Sequence, residues 1–458
     1  MTSETTQTAS SNGGRRVRVG RAVHTARQSR GLRLHQNGGS RQRWTGLLSR
    51  FGPGLITGAS DDDPSGIATY SQAGSQFGLG LLWTLLFSYP LMGGIQEISA
   101  RIGRVTGRGL AGNLQRHFAR PVLYTVICTL LVANIINIAA DIGAMSAAFR
   151  MLFGGSSVAY IVALGAGTAA LQVFVPYHSY VGVLKWLCVA LFGYVGIAFV
   201  VHIPWGNVLR ATIVPSVQWT PALLTTIVAI FGTTISPYLF FWQASEEVEE
   251  QKLEACERPL KVAPEQGDAQ LGRMEVDTWF GMAVSNVVGF FVMLTAAVVF
   301  HEHGITGIQT TQQAAEALRP VAGDFAHLLF SFGIVGTGLL AVPVLAGSSA
   351  YAVAEAIHWP TGLEKSPRSA SGFYVLIAVS TIAGVALNVL RFDPIRALFW
   401  SAVINGVASA PIMVAIMLLA SRRDVMGEFT LPARLRILGW SATLVMSGMA
   451  LALLLTLR

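Results

Sequence analysis

Long apolar stretches alternate with short polar connections along most of the chain. Eleven stretches follow one another, at 52–76, 81–103, 121–149, 156–177, 182–204, 220–244, 277–301, 324–348, 372–390, 396–420 and 436–457. Because about twenty apolar residues in a helix suffice to cross a bilayer, each stretch predicts a membrane-spanning helix. The pattern therefore predicts an all-α polytopic membrane protein with eleven transmembrane helices.

The composition and the placement of positive charge fit this prediction and orient it. Of the 458 residues, 52% are hydrophobic and 12% are charged, whereas about a quarter of a soluble protein is charged. With the N-terminus in the cytoplasm, 26 of the 32 basic residues fall on the cytoplasmic side. The positive-inside rule therefore predicts a plasma-membrane protein with a cytoplasmic N-terminus and an external C-terminus. The basic residues behind the net charge of +8 do not alternate with aromatic residues in the pattern typical of nucleic-acid binding.

The first 44 residues differ from the rest of the chain. They carry nine arginines against one acidic residue, Glu4, and are rich in serine, threonine and glycine. Such a composition favours a disordered tail. We expect residues 1–44 to be a cytoplasmic tail that either anchors the topology or attracts anionic lipid headgroups, and residues 45–458 to form the transmembrane domain.

The first apolar stretch contains GASDDDPSGIATY, an acidic interruption. Pro64 has no amide hydrogen and disfavours helical angles at Asp63, so this stretch cannot be one continuous helix. A carboxylate within the membrane costs about 2.5–3.5 kcal/mol on insertion scales, and a cation beside it offsets that cost. The aspartates therefore indicate a cation site at a helix break, with Asp61 and Asp62 either facing water or pairing with neighbours.

The sixth stretch contains a second interruption. Mid-span it clusters Gly232, Thr233, Thr234, Ser236 and Pro237. Two broken spans five apart are typical of transporters built from inverted repeats, in which ions bind at the unwound backbone near the bilayer midplane. We therefore expect both interruptions to face one site.

The motifs on the first two spans resemble those of one transporter family. The sequences GPGLITGASDDDPSGIATYSQAGSQFG, LLWTLLF and QEISARIGRVTGRGL, within residues 52–110, resemble the Nramp family of divalent-metal transporters. The resemblance implies a leucine-transporter-like (LeuT-like) fold with a 5+5 inverted repeat. The first repeat would span 52–204, the second 220–420, and an extra helix 436–457.

The resemblance also implies a set of metal-binding positions. Asp63 matches the family's metal-binding aspartate, and Gly66 stands where the family has an asparagine. The family's Met-Pro-His on the sixth span corresponds to Ser236, Pro237 and Tyr238, and Thr233 replaces the alanine whose carbonyl reaches the metal. The implied metal site is therefore Asp63, Gly66, Thr233 and Ser236.

These departures from the family pattern change the expected ion. A thioether favours softer transition metals, whereas Mg²⁺ prefers oxygen ligands and keeps several waters. Without methionine and asparagine, the site is roomier and contains only oxygen ligands. The sequence thus resembles the Nramp-related magnesium transporter branch, with Mg²⁺ as the expected substrate, Mn²⁺ as a second one, and no cofactor.

Residues that relay protons in the family are also replaced. The acidic pair on the third span corresponds to Asn137 and Ala140, and the histidine of the sixth span to Tyr238. These side chains bind and release protons poorly at neutral pH, which predicts transport without proton coupling. Asp141, one residue further along, is either a replacement proton site or a buried aspartate paired with a polar neighbour.

Further polar residues are candidates for weaker roles. Four could hydrogen-bond to the ion's waters or ligands: Asp62, Gln72, Asn137 and Tyr238. Asn286 and Asn405 either do the same or hydrogen-bond between helices. Glu246 and Glu247, at the cytoplasmic end of the sixth span, form either an intracellular funnel for divalent cations or a solvated helical extension.

We therefore expect a monomeric secondary transporter that imports divalent metal ions through the lipid bilayer by alternating access. One alternative is a proton-coupled Mn²⁺/Fe²⁺ symporter of Nramp type. Another, from a different class, is an amino-acid transporter of the same fold. No hydrolase motif such as His-Glu-x-x-His or Gly-x-Ser-x-Gly occurs in the spans, so we do not expect an enzyme.

Overall fold

The computed structural model describes residues 53–175, 192–215, 220–254, 256–308, 310–388 and 393–456. Within these ranges the α-helices are α1 (Pro53–Asp61), α2 (Pro64–Phe77), α3 (Leu82–Thr106), α4 (Leu110–His117), α5 (Arg120–Phe153), α6 (Ser157–Phe174), α7 (Phe192–Val200), α8 (Trp205–Ile213), α9 (Pro221–Thr234), α10 (Pro237–Leu253), α11 (Gly267–Val299), α12 (Thr311–Glu316), α13 (Arg319–Ala322), α14 (Ala326–Ala356), α15 (Ser371–Leu387), α16 (Pro394–Ala420), α17 (Arg423–Met426) and α18 (Ala433–Thr456). The predicted basic tail, residues 1–44, lies outside the described residues.

Helices occupy all eleven predicted spans as far as these are described. Within the described ranges, eight helical stretches are long and apolar enough to cross a membrane. The number is lower than eleven because α2 and α3 join into one stretch of 43 residues, and because α15, with 17 residues, is short. In addition, the fifth predicted span is described only from residue 192. Outward-facing apolar side chains such as Phe174 and Leu444 are suited to contact with lipid.

Both predicted helix breaks are present. In the first span, α1 ends at Asp61 and α2 begins at Pro64, with Asp63 as its extended N-cap residue (φ −69°, ψ 169°). In the sixth span, α9 ends at Thr234 and α10 begins at Pro237. Proline is favoured at a first helical position, where its missing amide hydrogen leaves no unmade bond. Each proline thus starts the second half of its span.

The helices form two groups of neighbours. The first and sixth spans pack with α3 and α11: α1 and α2 lie along α11, and α3 contacts both α10 and α11. We call these helices the bundle. The scaffold consists of α5, α6, α14 and α15, which contact one another.

Small residues allow the closest helix crossings. A Cβ added to Gly58 of α1 would lie 2.2 Å from the carbonyl oxygen of Gly281 in α11. Similarly, a Cβ on Gly232 of α9 would lie 2.4 Å from the amide nitrogen of Gly406 in α16. Such distances are shorter than any ordinary van der Waals contact, so the backbones can approach this closely only with glycine. These crossings hold the two broken spans in place.

Candidate metal site at the two helix breaks

Asp63 lies at the first break with its carboxylate fixed by the start of α2. Its side chain is 1% exposed. One oxygen, Oδ1, accepts hydrogen bonds from the Gly66 amide (2.8 Å) and from Ser65 Oγ (2.7 Å). The other, Oδ2, lies 3.4 Å from the Tyr238 hydroxyl, which also lies 3.3 Å from the Ser60 carbonyl oxygen. The helix N-terminus stabilises the negative charge and sets its direction.

Gly66 and Thr233 bring the two breaks together. A Cβ added to Gly66 would lie 3.0 Å from Thr233 Oγ1 and 3.6 Å from Asp63 Oδ1. The position that carries asparagine in the resembled pattern therefore lies in close contact with both the Asp63 carboxylate and the sixth span. Thr233 is buried, and its Oγ1 has no hydrogen-bond partner among the described residues. A carboxylate and an unpartnered hydroxyl thus lie on either side of Gly66.

Ser236 lies at the second break, but its hydroxyl group faces the end of α9. Ser236 Oγ donates to the Thr233 carbonyl oxygen at 2.8 Å and lies 3.2 Å from that of Gly232. From α16, Ser409 Oγ lies 2.8 Å from the Ile235 carbonyl oxygen and equally close to the Asn405 carbonyl oxygen of its own helix. Hydroxyl groups therefore satisfy carbonyls that the interrupted helix leaves free.

Asp61 and Asp62 share one neighbour, a serine of α11. Ser285 Oγ of α11 lies 2.7 Å from Asp61 Oδ2 and 3.1 Å from Asp62 Oδ1. This is the pairing with neighbours that the sequence left open as one alternative. Asp61 and Asp62 share Ser285, whereas Asp63 bonds to the start of α2, and the described residues contain no cluster of three His, Cys, Asp or Glu side chains suited to a metal. One carboxylate with neutral oxygens remains, which suits a partly hydrated cation.

The other polar residues predicted to take part in ion binding have different surroundings. Gln72 borders a crevice of about 480 Å³ on the predicted outer side, where its Oε1 accepts from the Ile308 amide (3.2 Å). Asn137 and Asn405 are fully buried, and their side-chain polar atoms have no partner among the described residues. Asn405 precedes Ser409 by one turn of α16, which places it beside the second break. Asn286 is half-buried on α11 next to Ser285.

A narrow, mostly apolar gap lies beside α2, about one turn beyond Asp63. A gap of only about 10 Å³ remains between α2, α5, α14 and α16, lined among others by Ile67, Ala68, Ala144, Phe330, Ile334 and Leu398. A single water needs at least that much space. The gap therefore has room for about one water, and a wider space on this side of α2 would require these apolar side chains to move apart.

Ion pairs close the opposite, predicted cytoplasmic side. Arg104, at the end of α3, is 1% exposed and pairs with Glu247 and Glu250 of α10. It also pairs with Glu257 (2.7 Å), which in turn pairs with Arg273 (2.8 Å). Glu247 is therefore engaged with an arginine here rather than open to solvent.

Glu246 and its neighbour Glu249 contact the scaffold. The Tyr351 hydroxyl of α14 lies 3.5 Å from Glu246 Oε1 and also donates to Glu249. Glu249 further accepts from the Leu363 amide at 3.0 Å. These contacts join α10 to α14 and to the loop that follows it. A funnel built from Glu246 and Glu247 would require this side to open first, and it stays a prediction.

Comparison with known proteins identifies the family. The model of the Nramp family, described as natural resistance-associated macrophage protein-like, matches residues 54–456. The chain belongs to the Nramp family. Among curated relatives of this Nramp-family chain is the divalent metal cation transporter MntH of Klebsiella pneumoniae (strain 342). It is 25% identical over 414 residues, which cover 88% of this chain and 93% of the relative.

Solved structures support the predicted fold. The manganese transporter of Eremococcus coleocola, in complex with an aromatic bis-isothiourea substituted compound, aligns with a TM-score of 0.70 at 18% identity, over 91% of this chain and 88% of that one. Mhp1 in its inward-facing conformation aligns with a TM-score of 0.52 at 14% identity, over 89% and 91%. The LeuT-like fold predicted for this Nramp-family chain is thereby confirmed.

Proposed function

We propose that this chain imports divalent metal cations by alternating access around Asp63, with Mg²⁺ as its main substrate, Mn²⁺ as a second, and no proton coupling. Membership of the Nramp family supports divalent-metal transport, as do the names of its relatives. The observation that supports the magnesium preference is the kind of ligand at the two breaks: the Asp63 carboxylate and the unpartnered Thr233 hydroxyl lie on either side of Gly66. Oxygen ligands without a thioether suit Mg²⁺.

The membrane potential alone can drive this uptake. An inside-negative potential of 100 mV is worth about 2.3 kcal/mol per charge, hence about 4.6 kcal/mol for a divalent ion. Asn137 and Tyr238 stand at positions where the family pattern has proton-relaying residues. A proton gradient is therefore not required. The proposed setting is the plasma membrane, with a monomer whose N-terminus is cytoplasmic.

A proton-coupled Mn²⁺/Fe²⁺ symporter is the second candidate, because a manganese transporter is among the similar solved structures and Asp141 is a buried acid of the third span. An amino-acid substrate is disfavoured by the first break. In transporters of this fold, the substrate carboxylate binds at a broken-helix N-terminus. Here Asp63 already accepts the Gly66 amide hydrogen, and its charge would repel a second carboxylate.

Purified full-length protein in liposomes tests the proposal. The vesicles contain a magnesium indicator and a pH-sensitive dye, and a potassium gradient with valinomycin sets an inside-negative potential. We expect Mg²⁺ entry that grows with the potential and brings no acidification. Protein-free vesicles and vesicles with the Asp63→Asn protein serve as controls. Mn²⁺ entry with acidification and without a magnesium response would favour the symporter instead.

A further inference from the structure

One buried carboxylate of the scaffold has no role in the site described so far. Asp141 of α5 is fully buried, and neither of its carboxylate oxygens has a hydrogen-bond partner among the described residues. Asn137, one turn earlier, is equally buried, and both of its side-chain polar atoms also lack a partner there. Buried polar groups are normally hydrogen-bonded, and a buried charge needs compensation. This pair of unpartnered side chains therefore points to a ligand.

The register of α5 shows in which direction Asp141 lies. Asn134 Nδ2 donates to the Leu345 carbonyl oxygen of α14 at 3.0 Å, and Met145 packs against Gly338 of the same helix. Asp141 follows Asn134 by seven residues and precedes Met145 by four, spacings that place residues on nearly the same side of a helix. Asp141 is therefore close to the side of α5 that faces α14.

The depth of Asp141 in the membrane matches that of Asp63. Ala144 of α5 and Ile67 of α2 line the same apolar gap, and their helices run in the same direction because they belong to the first and third spans. Asp141 precedes Ala144 by three residues and Asp63 precedes Ile67 by four, so each carboxylate lies about one turn, roughly 5 Å, below the gap. The two helices also contact each other directly. The two carboxylates thus lie at a similar depth, one on a helix of the bundle and the other on a neighbouring helix of the scaffold.

This placement suits a doubly charged ion that keeps its water. Two carboxylates neutralise the charge of a divalent cation, and Mg²⁺ is usually held through one or two carboxylates with several waters retained. The amide of Asn137 can both donate to and accept from such waters. An ion between the two carboxylates would also draw the bundle toward the scaffold.

We propose that Asp141 is the second carboxylate of the cation site and that, together with Asn137, it binds the water shell of the ion held by Asp63. This inference rests on the proposed function and deepens it, because it assigns a specificity-determining residue to the scaffold. Mg²⁺ depends on Asp141 more than Mn²⁺ does, since Mn²⁺ loses water more readily and binds Asp63 directly.

The Asp141→Asn variant tests this assignment because it removes the charge with almost no change in shape. Uptake into liposomes is measured at varied Mg²⁺ and Mn²⁺, and the melting temperature of the full-length protein in detergent is measured with and without MgCl₂. We expect the Mg²⁺ concentration for half-maximal uptake to rise at least about tenfold and that for Mn²⁺ to rise about threefold or less. The rise in melting temperature caused by Mg²⁺ should be lost.

Two controls separate the role in ion binding from a structural one. Asp141→Glu keeps the charge and should retain the Mg²⁺-induced rise in melting temperature, and Glu275→Gln removes a charge from an exposed ion pair with Arg434 and should leave uptake unchanged. Without cation, Asp141→Asn should melt no lower than the unmodified protein, because a neutral amide is cheaper to bury than a carboxylate. A lower cation-free melting temperature with an unchanged ratio of Mg²⁺ to Mn²⁺ uptake would overturn the assignment.

The outcomes also distinguish this inference from the proposed function. If the unmodified protein carries Mg²⁺ and Asp141→Asn carries it equally well, the inference fails and the proposed function stands. If the unmodified protein carries Mn²⁺ alone and Asp141→Asn weakens that uptake tenfold, the preference for Mg²⁺ fails and the second carboxylate stands.

Discussion

The two helix breaks resemble each other in backbone and differ in chemistry. Each ends one helix and begins the next at a proline, Pro64 or Pro237. The first break carries a carboxylate, and Asp63 uses it to accept hydrogen bonds from the start of α2. At the second break the described side chains are neutral, and the Ser236 hydroxyl donates backward to carbonyls at the end of α9.

Because of this difference, the two breaks contribute different groups to the binding of an ion. The first break provides charge, fixed in position because helix amides hold the carboxylate. The second break provides neutral oxygens. Serine hydroxyls bond to several of its carbonyl oxygens, whereas the Thr233 hydroxyl has no partner among the described residues. We infer that the first break determines whether a cation binds, and that the second influences which cation binds.

Removing the charge of the first break should have the largest effect. A buried charge that loses its partner costs about 3–5 kcal/mol, so Asp63→Asn and Asp63→Ala should each reduce divalent uptake at least about 100-fold. Uptake into liposomes measures this effect. Uptake by Asp63→Asn within a few-fold of the unmodified protein would show that the charge of the first break is not needed.

The same two variants separate the charge of Asp63 from its capping role. The amide oxygen of Asp63→Asn can still accept from the Gly66 amide and from Ser65, whereas Asp63→Ala loses both bonds, at a cost of about 1 kcal/mol for a lost cap. Thermal unfolding in detergent should therefore give a lower melting temperature for the alanine variant than for the asparagine variant. Equal loss of uptake with unequal stability would assign transport to the charge.

Changing the chemistry of the second break should have a smaller effect, on selectivity. Ser236→Met introduces a thioether, a ligand that favours softer metals, and we expect the uptake of Mn²⁺ and Cd²⁺ relative to Mg²⁺ to rise about tenfold. Competition between these ions in the liposome assay measures the ratio. Ser236→Ala loses the same hydrogen bonds without adding sulfur, so an equal shift in both variants would count against a ligand effect.

The fold and the two helix breaks were predictable because their signals are local. A proline within an apolar stretch forces a break wherever it occurs, and both breaks are where Pro64 and Pro237 predicted them. Asp63 was recognisable because a carboxylate within a span is costly. The structure then places Tyr238 against Asp63, and Gly66 opposite Thr233.

The partners of these residues could not be predicted, because they come from distant parts of the chain. Ser285 and Ser409 are ordinary serines in apolar helices, and only the packing of α11 and α16 brings them to the two breaks. Arg104 resembles any positive residue at the cytoplasmic end of a span, yet it is buried among the carboxylates of α10. The residues next to Glu247 in the sequence therefore did not predict its ion pair with an arginine.

The smallest effect on uptake is expected from a change in α16, a helix that supports the second break from another span. Ser409→Ala removes the hydroxyl that donates to the Ile235 carbonyl oxygen, and a net hydrogen bond contributes about 0.5–1.5 kcal/mol. We expect a lower melting temperature and a change in uptake of about threefold or less. Ser401→Ala is the matched control, since Ser401 lies on the same helix and bonds only to the Leu398 carbonyl oxygen. If both variants lose the same stability, the Ile235 carbonyl does not depend on Ser409, and the second break holds its shape through Ser236 and the close crossing of Gly232 with Gly406.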